Sequence, residues 1–298
     1  MRIRLNRTRW FLFPLTLIFL GALSCGQSAG EPILKIGGIP DQDASRLARR
    51  YDEFARYLSD KLGVQVEYVP SVDYAAVVTA FSQDRLQVAF FGGLTGVQAR
   101  LQNPGAKAIA QRESDAKFHS KFIARTDLPV ESLEDLKQRA SELTITFGSP
   151  SSTSGHLMPR YFLTQAGIDP DGDFREAASF SGSHDTTWQL VQSGAFDIGA
   201  LNEDVWERAI RNGTVDTTAV KEFYTTPDYF DYNWTVRADL DEKYGEGFSN
   251  KFQEALLDLN PQEHAEILEL FNTDKFIITN NENYQAIEDV GRQLEIIK

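Results

Sequence analysis

Cysteine is almost absent, with Cys25 the only one in 298 residues. A single thiol excludes an intrachain disulfide framework and a cysteine-held metal cluster. Histidine is scarce as well. The four are His119, His156, His184 and His264, and no H-E-x-x-H occurs, so a zinc site has little to be built from. Positive charge is in deficit, with 30 Lys and Arg against 43 Asp and Glu and a formal net charge of −13. That balance argues against nucleic acid and anionic lipid as charge-driven partners. It leaves room for a small anion, which local backbone and hydroxyl dipoles can hold against the global field. No G-x-x-x-x-G-K-[ST] loop is present, so the Walker mode of phosphate binding is excluded.

What is present begins at the N-terminus. Arg2, Arg4, Arg7 and Arg9 form a basic head, residues 10–23 are apolar, and a small-residue stretch ends at Cys25. That order is the pattern of a secretory signal peptide. The apolar run is shorter than the roughly 20 residues a helix needs to cross a bilayer, which disfavours a retained anchor helix. Ala22-Leu23-Ser24-Cys25-Gly26 resembles a lipoprotein cleavage site, at which the cysteine becomes an acylated N-terminus; Ala22 stands where Leu is usual. An ordinary signal peptide cut nearby is the other reading. Residues 26–33 then read as a tether.

From residue 34, apolar runs of strand length alternate with segments of helical period. Leu47, Tyr51, Phe54, Leu58 and Leu62 recur at threes and fours and predict an amphipathic helix closed by Gly63. Strands are expected at 64–69, 86–91 and 118–125, with helices at 74–81 and from about 94. A second unit of the same kind follows Asp127-Leu128-Pro129, with strands at 143–147 and 196–201 and helices at 132–139, 157–166 and 186–193. Mostly helical sequence closes the chain from 242. The rhythm predicts an α/β fold of two lobes, each a mostly parallel sheet flanked by helices. The expected bounds are 34–124 for the first lobe, 125–225 for the second, and 226–298 returning to the first.

Open α/β sheets bind ligands where strands end and helices begin. Gly148-Ser149-Pro150-Ser151-Ser152-Thr153-Ser154-Gly155 lies at such a junction. One hydroxyl there would be an ordinary helix cap. Four in a row, flanked by glycines and followed by a helix start, describe an anion site. Ser181-Gly182-Ser183-His184-Asp185-Thr186 is a second junction, where His184 can donate to an oxyanion and Asp185 can orient it; a cap is the plain alternative. Phe91-Gly92-Gly93 lets backbone N–H groups approach a ligand, and Tyr74 opens a helix with its hydroxyl available. Ser152, His184 and Asp185 contain the residue types of a hydrolase triad. No G-x-S-x-G elbow exists, however, and adjacent His and Asp side chains diverge, so a binding role is favoured over catalysis, with no cofactor.

Taken together these segments resemble the phosphate, phosphite and phosphonate-binding proteins of ABC importers, from about residue 34 to the C-terminus. The most specific stretch is 147–162. Supporting it are Asp73-Tyr74-Ala75, Phe91-Gly92-Gly93, Phe180-Ser181-Gly182-Ser183-His184-Asp185 and Asp231-Tyr232-Asn233-Trp234-Thr235-Val236-Arg237. The resemblance implies a type II binding protein whose lobes are joined by two crossover strands, near 122–126 and 223–228, and close on the ligand. It implies a periplasmic location, partnership with a permease and an ATPase, and a small oxyanion as ligand. Ser152, Thr153, Ser154 and His184 would contact that oxyanion, Tyr74 would face them, and Phe91, Gly92, Asp185 and Asn202 would complete the site. No lysine or arginine is expected in first contact. A branch associated with selenate transport shares the same stretches and is the alternative. Phe118 stands where aminoalkylphosphonate binders carry tyrosine, whereas acidic Asp204, near Asn202, is kept where those binders hold the ligand's amino group. The lost hydroxyl turns the expectation towards a compact anion such as phosphite.

Overall fold

The computed structural model describes residues 32–297; the signal segment, Cys25 and residues 26–31 of the tether lie outside the described residues. The chain opens with β1 (Leu34–Gly38), α1 (Ala44–Leu62), β2 (Val66–Tyr68), α2 (Tyr74–Ser82), β3 (Val88–Phe91), α3 (Gly93–Gln102) and β4 (Lys107–Arg112). Helix α1 forms as its periodicity predicts. Asp43 caps it by accepting from the backbone N–H groups of Ser45 and Arg46, Gly63 ends it in the left-handed region at φ 73°, and Leu47, Tyr51, Phe54, Leu58 and Leu62 are buried.

A short 3₁₀ turn, Glu113–Lys117, leads into the second lobe. Here lie β5 (Ser120–Arg125), α4 (Leu133–Arg139), β6 (Ile145–Phe147), α5 (Met158–Gln165), β7 (Ser179–Phe180), α6 (His184–Gln192), β8 (Ile198–Asn202), α7 (Glu203–Arg211) and β9 (Val220–Thr225). The chain then returns through β10 (Asn233–Val236), α8 (Leu240–Tyr244), α9 (Phe248–Leu257), α10 (Ala265–Phe271), β11 (Phe276–Ile278) and α11 (Gln285–Gln293).

Two sheets result, with strand orders β11-β4-β10-β3-β1-β2 and β7-β6-β8-β5-β9. Both are mixed, which corrects the expectation of mostly parallel sheets. β1 pairs parallel with β2 and β3, and β6 pairs parallel with β7 and β8. β10 runs antiparallel to β3 and β4, and β5 runs antiparallel to β8 and β9. The reversals follow from the crossings. Ser120 begins β5 opposite Asn202, the last residue of β8, and Asn233 begins β10 opposite Phe91, the last residue of β3. Each crossing strand therefore enters its sheet at the end where the parallel strands finish.

Pairing also moves the lobe boundary. Residues 120–125 and 220–225 belong to the second sheet, so the crossings are 113–119 and 226–232, a few residues from the expected positions. The two crossings touch: Phe118 and Tyr229 exchange backbone hydrogen bonds of 2.9 and 3.0 Å. Side-chain alternation on β5 builds both faces of the second lobe, with Phe122 and Ala124 in one apolar cluster and Ile123 in the other. The first lobe has one larger core, which also takes in Leu157 and Met158 from the second.

Candidate functional site

The turn after β6 is held from within. Ser152 caps a single π-helical turn, Thr153–Leu157, by accepting from Gly155 N–H at 3.0 Å, and Gly148 N–H donates to Gly155 O at 2.8 Å. His156 clamps the outside. Its Nε2 accepts from Arg160 Nε at 2.8 Å, so Nδ1–H donates to Pro150 O at 2.7 Å, and both ring nitrogens are used. Thr153 and Ser154 are thereby presented, buried, at a helix start whose first N–H groups have no intrahelical acceptor.

The neighbouring turn lies alongside, with Ser181 and Gly182 donating to the carbonyls of Phe147 and Gly148. This places His184 over Gly155, where an added Cβ would stand 2.8 Å from His184 Cε1 and 2.9 Å from Ser152 Oγ; glycine is required there. His184 is fully buried, and Asn202 N–H points at its Nδ1 at 3.3 Å. The imidazole proton is therefore on Nε2, which has no partner among the described residues. Burial, opposed by Asp41, brings its pKa down to about 4. At neutral pH the imidazole is therefore uncharged and has an N–H on Nε2 to offer.

The first lobe supplies the opposite wall. Tyr74 is buried at the start of α2, its hydroxyl near Ser152 and without a hydrogen-bond partner among the described residues; burial, then Asp41, holds its pKa well above the usual value. Leu94 N–H donates to Thr153 Oγ1 at 2.9 Å, and a Cβ on Gly92 would stand 3.2 Å from that same oxygen. The lobes meet again where His184 N–H donates to Asp41 O at 3.2 Å and Asp43 N–H to Asp185 Oδ2 at 3.0 Å.

Asp231 completes the array from the second crossing. Its Oδ1 accepts from Gly93 N–H at 2.9 Å, while its buried Oδ2 has no partner among the described residues. Burial pushes its carboxyl up to about 7, opposed by Gly93 N–H and by the hydroxyls of Thr153 and Ser154. Behind it, Asn202 Nδ2 donates to Tyr232 Oη at 2.9 Å and Tyr232 Oη donates to Asp41 Oδ2 at 2.8 Å.

The structure thus gathers Tyr74, Gly92, Ser152, Thr153, Ser154 and His184 and leaves three expected residues outside. Phe91 packs edge-on against Phe81 at 5.4 Å within the core. Asp185 turns to the lobe seam, holding Asp43 N–H and, at 3.4 Å, Trp188 Nε1, and so does not orient His184. Asn202 spends its second amide atom on Val205 N–H at 2.7 Å, capping α7. Asp231 went unassigned in the sequence, although its Asp-Tyr-Asn-Trp stretch stood out; a carboxylate is not an expected lining for an anion site. Asp204 is occupied as well: Arg112 Nη1 donates to its Oδ2 at 2.6 Å and Asn272 Nδ2 to its Oδ1 at 2.9 Å. Phe118 packs over the same guanidinium at 5.6 Å, and Arg112 also forks onto Asp115.

Two α/β lobes, two touching crossings and a buried polar array between them define a periplasmic binding protein of type II. Residues 36–284 match the family model for the periplasmic substrate-binding protein of phosphonate ABC transporters, and the chain belongs to that family. It is 42% identical, over 97% of its length and 99% of the relative's, to a probable ABC transporter phosphite binding protein, PhnD1, of Prochlorococcus marinus strain MIT 9301. The solved structure of PhnD1 from that organism in complex with methylphosphonate superposes with a TM-score of 0.85 at 44% identity, covering 89% of this chain and 99% of that one. A binding protein component of an ABC phosphonate transporter from Pseudomonas aeruginosa shares the fold, with a TM-score of 0.78 at 22% identity over 87% of this chain and 85% of its own.

Proposed function

We propose that this protein captures a compact, singly protonated phosphorus oxyanion, phosphite or a small phosphonate, by closure of its lobes, and delivers it to the permease of its importer. The observation that carries this reading is the mixture of free polar atoms in the array. His184 Nε2–H, the Tyr74 hydroxyl and the helix-start groups are donors suited to oxyanion oxygens, whereas Asp231 Oδ2, in its ionised form, is a buried acceptor. An ionised Asp231 left unmatched is costly, so the ligand that this form prefers brings an O–H of its own. A phosphonate or phosphite, whose second ionisation lies close to neutral pH, can carry one there; selenate, the anion of a strong acid, does not. The array therefore favours the phosphorus oxyanion over the selenate alternative. Asp204, both of its oxygens engaged by Arg112 and Asn272, offers no seat for a ligand amino group, which favours a ligand without one.

Calorimetric titration at neutral pH against phosphite, methylphosphonate, phosphate, 2-aminoethylphosphonate and selenate tests the assignment. Phosphite or methylphosphonate should bind tightest and selenate at least a hundredfold more weakly; selenate binding as tightly as either would overturn it. Membership of a substrate-binding family supports capture without turnover, and a chromogenic phosphate ester left unhydrolysed would agree. Acylation at Cys25 would tether the mature chain to the membrane. If so, Cys25→Ser should move it from the membrane to the soluble periplasmic fraction, and a wild type already soluble would refute the tether.

A further inference from the structure

A cavity of about 570 Å³ opens at the lobe seam, outside the array described above. Gln42, Asp43 and Arg46 line it from the first lobe, and α6 and α7, with Asp185 and Arg208, line it from the second. Because its walls come from both lobes, it exists in this form only when they are together.

Neither of its guanidinium groups is in an ion pair among the described residues, although Asp185 and then Asp41 attract Arg208 at longer range. Arg208 makes no side-chain hydrogen bond or ion pair among the described residues, and its Nη1 is buried. Among the described residues, Arg46 Nε is buried without a partner, and the side chain's one hydrogen bond is a 3.4 Å contact to Glu269 O. Burial, and then the proximity of Arg208, bring Arg46 down to about 10. The two carboxylates of the cavity are already engaged. Asp43 holds the N–H groups of its own helix start, and Asp185 holds Asp43 N–H and the Trp188 indole. Among the described residues, Gln42 Oε1 is buried there without a partner, and no carboxylate lining the cavity hydrogen-bonds either guanidinium.

We infer that this seam cavity is a docking pocket, assembled by closure, for an acidic side chain of the importer's membrane subunit. Guanidinium forks match a carboxylate in charge and in planar geometry. The volume is far larger than a lone small anion needs, and Gln42, Gln189 and Asn212 on its walls suit the polar backbone of a protruding segment. A membrane subunit that reads both arginines at once distinguishes the closed, loaded protein from the open one. The inference rests on the importer reading above, but its test separates from that reading.

The test compares wild type with the Arg46→Gln/Arg208→Gln variant, using methylphosphonate as ligand and proteoliposomes carrying the importer's own permease and ATPase. Methylphosphonate affinity should stay within threefold of wild type, which also shows that the variant folds and closes. Uptake should fall at least tenfold, and Arg46→Lys/Arg208→Lys should recover part of it. Unchanged uptake overturns the docking pocket. A parallel loss of affinity also overturns it, by assigning the arginines to ligand capture. Sodium acetate titrated into methylphosphonate-saturated wild type supplies the last arm: heat that vanishes in the double glutamine variant while uptake persists means a free-anion site, and no docking. If wild type binds neither phosphite nor methylphosphonate, the functional reading fails before any variant is compared.

Discussion

Thr153 Oγ1 serves both lobes. It accepts Leu94 N–H from the first lobe and keeps its own proton for an acceptor in the array. Hydrogen bonds to charged groups contribute about 1.5–3 kcal/mol, so Thr153→Ala should weaken methylphosphonate binding roughly ten- to a hundredfold by titration. The fold should survive. His184 and Asp231 are linked to pH with opposite signs. His184 falls from 6.5 to about 4 on folding, so its contribution to stability is present above pH 6.5 and is lost as pH drops towards 4. Asp231 rises from 3.8 to about 7, so its contribution is present below pH 3.8 and is lost as pH climbs through 7. Thermal unfolding should therefore show Asp231→Asn gaining on wild type as pH rises from 4.5 to 7.5. His184→Gln should gain on wild type in the other direction, as pH falls from 7 to 4.5. Slopes that match wild type in both variants would mean that neither group is buried as described.

At the scale of elements, the turn between β6 and α5 shows how local sequence becomes a site. The Ser152 cap, the Gly148–Gly155 backbone bond and the His156 clamp fix the turn, and Gly155 lets His184 lie on it. Gly155→Ala places a methyl 2.8 Å from an imidazole that is fully buried and held by Asn202 N–H. Overpacking of this kind costs about 1–3 kcal/mol, and here the ring must move off its donor line as well. Methylphosphonate affinity should fall more than tenfold while circular dichroism stays that of wild type; full affinity in the alanine variant would show the ring has room. The helices were legible in sequence because amphipathic period and caps are local, as α1 between Asp43 and Gly63 demonstrates. Strand direction was not, because the apolar run of β5 reads the same whether its neighbour runs parallel or antiparallel.

At the scale of the whole molecule, contacts between the lobes include single hydrogen bonds at Leu94–Thr153, Asp41–His184 and Asp43–Asp185 and the buried Arg112–Asp204 ion pair beside the crossings. The two touching crossings around Phe118 and Tyr229 form a natural hinge. Small-angle scattering should show a smaller radius of gyration with saturating methylphosphonate than without, and superimposable curves would argue against closure on ligand. The sequence by itself determined the two-lobed α/β organisation and four of the buried polar residues, Ser152, Thr153, Ser154 and His184. Those features are written in period, capping chemistry and short contiguous runs. Tertiary structure alone decided that His184 is a neutral donor and that Asp231 faces the same space. It also decided that Asp185, Asn202 and Asp204 are spent elsewhere. Each of those outcomes depends on which groups from distant segments exclude water and satisfy hydrogen bonds around a side chain, and spacing along the chain carries no record of that.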